Sequence, residues 1–307
     1  MSPDPTSPHV TPDPGPRAAL GCSVVGHPNP GGSDHRFNIG DALHDGMTAF
    51  RRAPLSFSLF SAGLTALQVV LLPLQERLLV EPGRSLQPID AVLFLLGFSL
   101  SLAVSLWGSQ GMVRGAWAAL GGQRPSLMSL LRWDGPGFIR LIRAWALLGL
   151  LLLIPLLALL AALVIALLLL AAPAGVSHQP ALMLLASVLV GAGGLTALGS
   201  FGLLLTYLSV NQQFLAQIAL LEGSNGIATL KRGRRLVDHQ WLLLLLLLLI
   251  KGLLLVLGGL LAFITLGIGW ILAWPLVSCI TTAAYRQLRQ REPGEADAGV
   301  RRVSPAG

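Results

Sequence analysis

The sequence predicts an all-α integral membrane protein with six transmembrane helices, and three observations predict it. Hydrophobic residues make up 53% of the 307-residue chain and charged residues 11%, with a mean hydropathy of +0.71; a soluble domain carries about 25% charged residues. Six apolar runs are each long enough to cross a hydrocarbon core, for which about 18 or more residues suffice. A basic amphipathic segment leads into each pair of runs. The chain therefore reads as a three-fold helix-hairpin pseudo-repeat whose lead-in segments begin about 90 to 100 residues apart.

The elements follow in order. Residues 1–36 are rich in Pro, Gly, Ser and Asp and hold no apolar run. Such a segment buries too little apolar surface to offset its ordering entropy, so it reads as a disordered cytoplasmic tail. It has no basic stretch followed by an apolar core, so it is not a secretory signal. The membrane domain spans 37–288. Phe37 to Arg52 is amphipathic: Ile39, Leu43, Met47 and Phe50 share one side, with Asp41, His44, Asp45, Thr48, Arg51 and Arg52 opposite, which places it along the membrane surface or against the bundle.

The first span runs from about Pro54 to Leu72, where Ser58, Ala62 and Ala66 form a small-residue ridge suited to close packing in lipid. Gln68 is its one strongly polar residue. The second covers Ala91 to Ser109, with a ridge of Gly97, Ser101, Ser105 and Ser109 that reads as a packing face. Gln110 to Arg143 is a basic interfacial segment broken at Gly135-Pro136-Gly137. Its Trp117 and Trp133, with Trp145, suit the headgroup region. The third span, Ala144 to Ala172, exceeds a straight crossing and must tilt, kink at Pro155 or protrude.

The fourth span, from Ala181, carries five glycines between Gly191 and Gly202 and turns polar at Asn211, Gln212, Gln213, Gln217 and Glu222. It reads as a tightly packed central helix continuing past the lipid surface, with a polar cavity reached from the cytoplasm as the alternative. From Ile227 a basic amphipathic helix places Lys231, Arg232 and Arg235 beside an apolar face of Ile227, Leu230, Val237 and Trp241. At a membrane surface each such cation contributes about 1 kcal/mol of attraction to anionic headgroups. The fifth span covers Trp241 to Ile264 and the sixth Ile268 to Tyr285, joined through Leu266-Gly267. Residues 289–307 form a second disordered cytoplasmic tail.

Charge sets the topology. With both termini inside, eighteen of the 21 Lys and Arg fall in cytoplasmic segments, against only Arg77 and Arg84 outside. That asymmetry follows the positive-inside rule and gives a multi-pass topology with both ends cytoplasmic. The remaining cation, Lys251, lies within the fifth span, ten residues beyond Trp241. That is about 15 Å along a helix, near the middle of a core about 30 Å thick. No Asp or Glu lies in a span to pair with it. Its candidate neighbours are helix carbonyls, Gln68 and the serines of the second span. It reads equally as a lysine facing a polar gap and as a contact for a substrate or anion.

Several motifs together resemble a known family. They are Phe37 to Leu43 followed by Arg51-Arg52-Ala53-Pro54, then Glu222-Gly223, Ala228 to Val237, Gly267-Ile268-Gly269, Pro275 and Tyr285-Arg286. They are similar to a family of uncharacterised bacterial multi-pass membrane proteins, itself similar to the membrane domain attached to some glycerophosphodiester phosphodiesterases. That family shows an Ala-Leu-Lys-Arg-Ser-Trp-x-Leu helix. Here Thr229 intrudes before Leu230, and Gly233-Arg234 replaces the Ser-Trp pair. The resemblance covers about Phe37 to Leu288 and implies a six-span bundle without the phosphodiesterase catalytic residues.

The residues themselves point away from catalysis. Six histidines (His9, His27, His35, His44, His178, His239) scatter through tails and loops, none at metal-ligand spacing. There is no phosphate-binding P-loop and no dinucleotide fingerprint. Cys22 and Cys279 lie far apart and predict neither a disulfide nor a metal site. The net charge of +7 belongs to membrane-facing loops rather than to a nucleic-acid surface. The expected function is therefore a non-catalytic integral membrane protein without cofactor, acting in envelope organisation or lipid interaction. A small-solute transporter or channel using the fourth and fifth spans is the alternative, and a membrane enzyme the weakest reading. Its partners are the bilayer and anionic headgroups, with a second copy or another membrane protein as a further partner. Candidate polar and lipid contacts are Lys251, Glu222, Lys231, Arg232 and Arg235.

Overall fold

Short helix, long helix, long helix is the order in which the chain folds, three times over. The computed structural model describes residues 37–76, 88–176, 180–238 and 240–290, all within one compact unit, Arg36–Gly307. The expected tails at 1–36 and beyond Gln290 lie outside the described residues. So do the loop holding Arg77 and Arg84, Cys22, and every histidine except His44. The elements are α1 (Ile39–Arg52), α2 (Pro54–Glu76), α3 (Pro88–Leu120), α4 (Leu127–Leu131), α5 (Gly135–Val176) and α6 (Pro180–Gln212). Then come α7 (Leu215–Gln217), a π-helical turn (Ile218–Glu222), α8 (Ile227–Asp238), α9 (Trp241–Ile264) and α10 (Ile268–Arg289). Six helical stretches are long and apolar enough to cross a membrane: α2, α3, Gly135–Ala166 of α5, Val190–Glu222, α9 and α10.

Local sequence explains the boundaries. Asn38 caps α1 by accepting from the Gly40 N–H at 2.9 Å. Asp134 caps α5 by accepting from the Gly137 N–H at 3.3 Å, and Pro136 occupies the first turn. The Gly135-Pro136-Gly137 break is thus a helix start. On the other side, α3 runs eleven residues past the expected end at Ser109, through to Leu120. Gln110 to Leu120 therefore continues the same helix. Its buried face of Gln110, Gly111, Met112, Val113, Gly115, Ala116 and Ala119 packs inside the protein. Trp117 correspondingly sits 6.3 Å from the Tyr285 ring, whereas Trp133 and Trp145 remain exposed. α10 reaches Arg289, so the expected second tail loses its first residue to the helix.

The hub is α10, which packs on α1, α2, α3 and α9. Of its most apolar window 56% is buried, against 6% for the glycine-rich fourth stretch. This corrects the expectation of a central fourth helix. A β-carbon added at Gly191, Gly193, Gly194, Gly199 or Gly202 would meet nothing within 4 Å. The crossings that need glycine lie elsewhere. A methyl group at Gly46 of α1 would sit 2.6 Å from the Ile280 Cα of α10. One at Gly269 would sit 2.5 Å from the Ala262 nitrogen. α1 accordingly lies against the bundle through Ala42, Gly46 and Ala49, and leaves Met47 exposed.

Between α2 and α3, Gln68 donates to the Ser101 carbonyl and to Ser105 Oγ, both at 2.9 Å, and accepts from Ser101 Oγ. The small-residue ridge of the second span packs on α2 and is bonded there by two amides, Gln68 and Gln75, the latter donating to the Gly97 carbonyl at 3.4 Å. On α2 the packed face is Phe57, Phe60 and Ser61, while Ala66 of the expected ridge is exposed.

Candidate functional site

Glu222 ends the π-helical turn, and Gly223 follows with φ of +70°, a left-handed conformation that glycine adopts without steric cost. This exit directs the chain back across the bundle into α8. The Glu222 carboxylate accepts from Arg232 Nε of α8 at 3.2 Å and from the Tyr285 hydroxyl of α10 at 2.6 Å. The Glu222 and Arg232 side chains are each 16% exposed, and Tyr285 is fully buried near Phe214 and Trp117. Three elements distant in sequence thus share one carboxylate, in charge-assisted bonds stronger than neutral ones.

α8 turns Thr229, Gly233, Leu236 and Val237 inward, with Arg232 one turn from Leu236 on the same side. Gly233 permits this, since a β-carbon there would lie 2.9 Å from the Asn211 carbonyl oxygen. Ile227, expected on the apolar face, is exposed, as are Lys231 and Arg235. Of the cations expected on one surface, Arg232 meets Glu222 while Lys231 and Arg235 point away from the core. Arg234 lies 3.9 Å from Asp238 in an exposed pair, the kind that contributes little.

Other arginines at this end tie off backbone carbonyls. Arg52 of α1 bonds the Ala119 carbonyl, and Arg286 of α10 donates to the Leu120 carbonyl at 2.7 Å. Both cap the C-terminus of α3, where orphan carbonyls and the helix dipole favour cations. Arg140 of α5 donates to the Ala219 carbonyl of the π-helical turn at 3.2 Å, and Arg114 bonds the Arg132 carbonyl. Positive charge retained at one end of the sequence pattern therefore splits into an inward set that joins elements and an outward set left exposed.

Lys251 is separate from this lock. It is 7% exposed and donates to Gln213 Oε1 at 3.2 Å. Its bonded partner is Gln213, in the polar end of the fourth stretch, and not Gln68 or a serine of the second span. α6 stops at Gln212, the chain turns at Gln213–Phe214, and Asn211, Phe214, Leu215 and Gln217 are buried. Asn211 Oδ1, Gln212 Oε1, Gln213 Nε2 and Gln217 Oε1 are buried without a hydrogen-bond partner among the described residues.

Two clefts lie along α2. One, of about 250 Å³, is lined by Ser61, Thr65, Gln68, Ser105, Trp270 and Trp274 among others. The other, of about 550 Å³, is almost wholly apolar.

Sequence reasoning flagged Glu222 and Arg232, which the fold brings together, but assigned no role to Tyr285, Arg286 or Gln213. Tyr285 carried a signal: it is one of only two tyrosines in the chain and stands beside Arg286 where a span meets its basic flank. No family model, curated protein or solved structure matches the chain.

Proposed function

We propose that this chain is a non-catalytic integral membrane protein that binds and organises lipid, set in a bacterial plasma membrane with both termini cytoplasmic. The observation carrying this reading is the division of cations at one end of the bundle. Arg140, Arg232 and Arg286 are half-buried on carbonyls and a carboxylate, whereas Arg51, Arg143, Lys231 and Arg235 stay exposed. Exposed cations beside lipid-facing leucines suit anionic headgroups. The resemblance to the family similar to glycerophosphodiester phosphodiesterase membrane domains fits this reading, in which no phosphodiester chemistry takes place.

The test is lipid selectivity of the full chain in bilayers of mixed phosphatidylglycerol and phosphatidylcholine, read by spin-labelled lipids of each class. Anionic lipid should be enriched at the protein, and replacing Lys231 and Arg235 by Gln should cut that enrichment by about fivefold per charge. Equal affinity for both lipids would end the proposal.

A second reading, solute transport, has its own observation: Lys251 beside Gln213, and the buried amide oxygens of Asn211, Gln212 and Gln217 without a hydrogen-bond partner among the described residues. Buried polar groups without partners are costly and gather at working sites. Under this reading Lys251→Leu abolishes solute flux into vesicles while leaving lipid selectivity intact.

A further inference from the structure

We infer that the apolar groove between α2, α3 and α4 is a specific site for one anionic glycerophospholipid, with an acyl chain in the groove and the phosphate at the two ends of α4. The inference rests on the lipid-binding reading above and places it at a surface other than α8. On α2 the wall is a single helical stripe that begins at Leu59, passes Gly63 and ends at Val70; Trp107 of α3 and Leu127 and Leu131 of α4 complete it. From Leu59 to Val70 the stripe is about 16 Å long at 1.5 Å per residue. Half of a hydrocarbon core of about 30 Å is about 15 Å, the depth spanned by one acyl chain. The cleft of about 550 Å³ falls within the usual range of ligand sites.

Gly63 marks the groove as a space, not a packing defect. A β-carbon on Gly63 would meet nothing within 4 Å, whereas one on Gly111 or Gly115 of the adjoining α3 would strike Leu130. α4 itself is held in place: Leu130 is fully buried, and Ser126 accepts from the Ser129 N–H as the cap.

Charge picks the lipid. Arg124 stands three residues before Leu127, and Arg132 directly follows Leu131; both are exposed. The Arg132 backbone is fixed by the bond from Arg114 to its carbonyl, which leaves the Arg132 guanidinium unused by that contact. The neighbouring acid, Asp134, is occupied in capping α5 through the Gly137 N–H. Two exposed arginines therefore border the short helix whose Leu127 and Leu131 line the groove, a charge placement complementary to a phosphodiester on an acyl chain.

The test uses the full chain, purified in detergent, delipidated and titrated with phosphatidylglycerol or phosphatidylcholine under native mass spectrometry. Wild type should retain one phosphatidylglycerol more tightly than phosphatidylcholine. Gly63→Leu sets a side chain into the groove from a position where a β-carbon meets nothing within 4 Å, and should weaken both lipids at this site by tenfold or more. Arg124→Gln with Arg132→Gln should weaken phosphatidylglycerol alone, by roughly 5- to 25-fold. Unchanged binding in Gly63→Leu, with its helicity intact, overturns the groove. If binding falls only in the Lys231 and Arg235 variants, the groove is overturned while general lipid binding stands. Equal retention of both lipids by wild type overturns both.

Discussion

Glu222 shows how much a single carboxylate can do at the end of a bundle. It satisfies Arg232 and Tyr285 together, so each deletion has a distinct expected effect. Tyr285→Phe keeps the ring packing and removes one bond to a charged acceptor, worth about 1.5–3 kcal/mol. Arg232→Ala leaves the carboxylate poorly compensated in a mostly buried place, and should cost about 3–5 kcal/mol. Because both act on one group, the double variant should lose less than the two single losses added together. Chemical unfolding of the detergent-purified chain measures all three, and strict additivity would mean that the residues act independently. The glycines offer a sharper contrast. Gly269→Ala drives a methyl group against the Gly258 and Ala262 backbones, so a loss of about 1–3 kcal/mol is expected. Gly63→Ala points into open space and should instead stabilise α2 by up to about 1 kcal/mol. Equal effects at the two sites would refute the close α9–α10 crossing.

At the scale of elements, the lead-in helices do more than lie on a surface. α1 is clamped to α10 through Gly46 and to α3 through Arg52, and α8 is clamped to α10 through Glu222 and Tyr285. The fifth span carries the exception. Lys251 donates to the side-chain amide of Gln213, and the two members of this pair should respond unequally to truncation. Gln213→Leu strands a buried cation and should lower the unfolding temperature clearly. Lys251→Met removes the cation, and with it an insertion penalty of about 2.5–3.5 kcal/mol, so stability should hold or rise. A comparable fall for both would show that the pair contributes net stabilisation.

For the whole molecule, the six-span reading with both termini cytoplasmic can be tested with the native cysteines alone. Cys279 is fully buried in α10, which leaves Cys22 of the N-terminal segment as the reactive thiol. A membrane-impermeant maleimide should label the chain in inverted vesicles and not in intact spheroplasts. Labelling in spheroplasts would place the N-terminus outside and reverse the assignment of every basic segment.

Apolar run length and the placement of turn residues determined the all-α class, the six helices long and apolar enough to cross a membrane, and the hairpin at Leu266-Gly267. α9 matches its expected limits because Trp241 and Thr265 bound an apolar run whose single charge is Lys251. The basic lead-in segments were legible for the same local reason. What sequence could not decide was which side of each helix met which neighbour. In a chain this rich in leucine, every face of a span is apolar, so periodicity carries little information about packing. The fourth stretch looked central because glycine permits close approach, yet nothing approaches it. α10 is the hub because Gly46 lets α1 lie against it, Gly269 lets α9 cross it, and Tyr285 reaches Glu222. Nor does sequence spacing say whether an arginine meets a carbonyl, a carboxylate or a lipid. Arg232 and Lys231 are neighbours in the chain and 100° apart on a helix of about 3.6 residues per turn. Only the tertiary structure turned one toward Glu222 and left the other exposed.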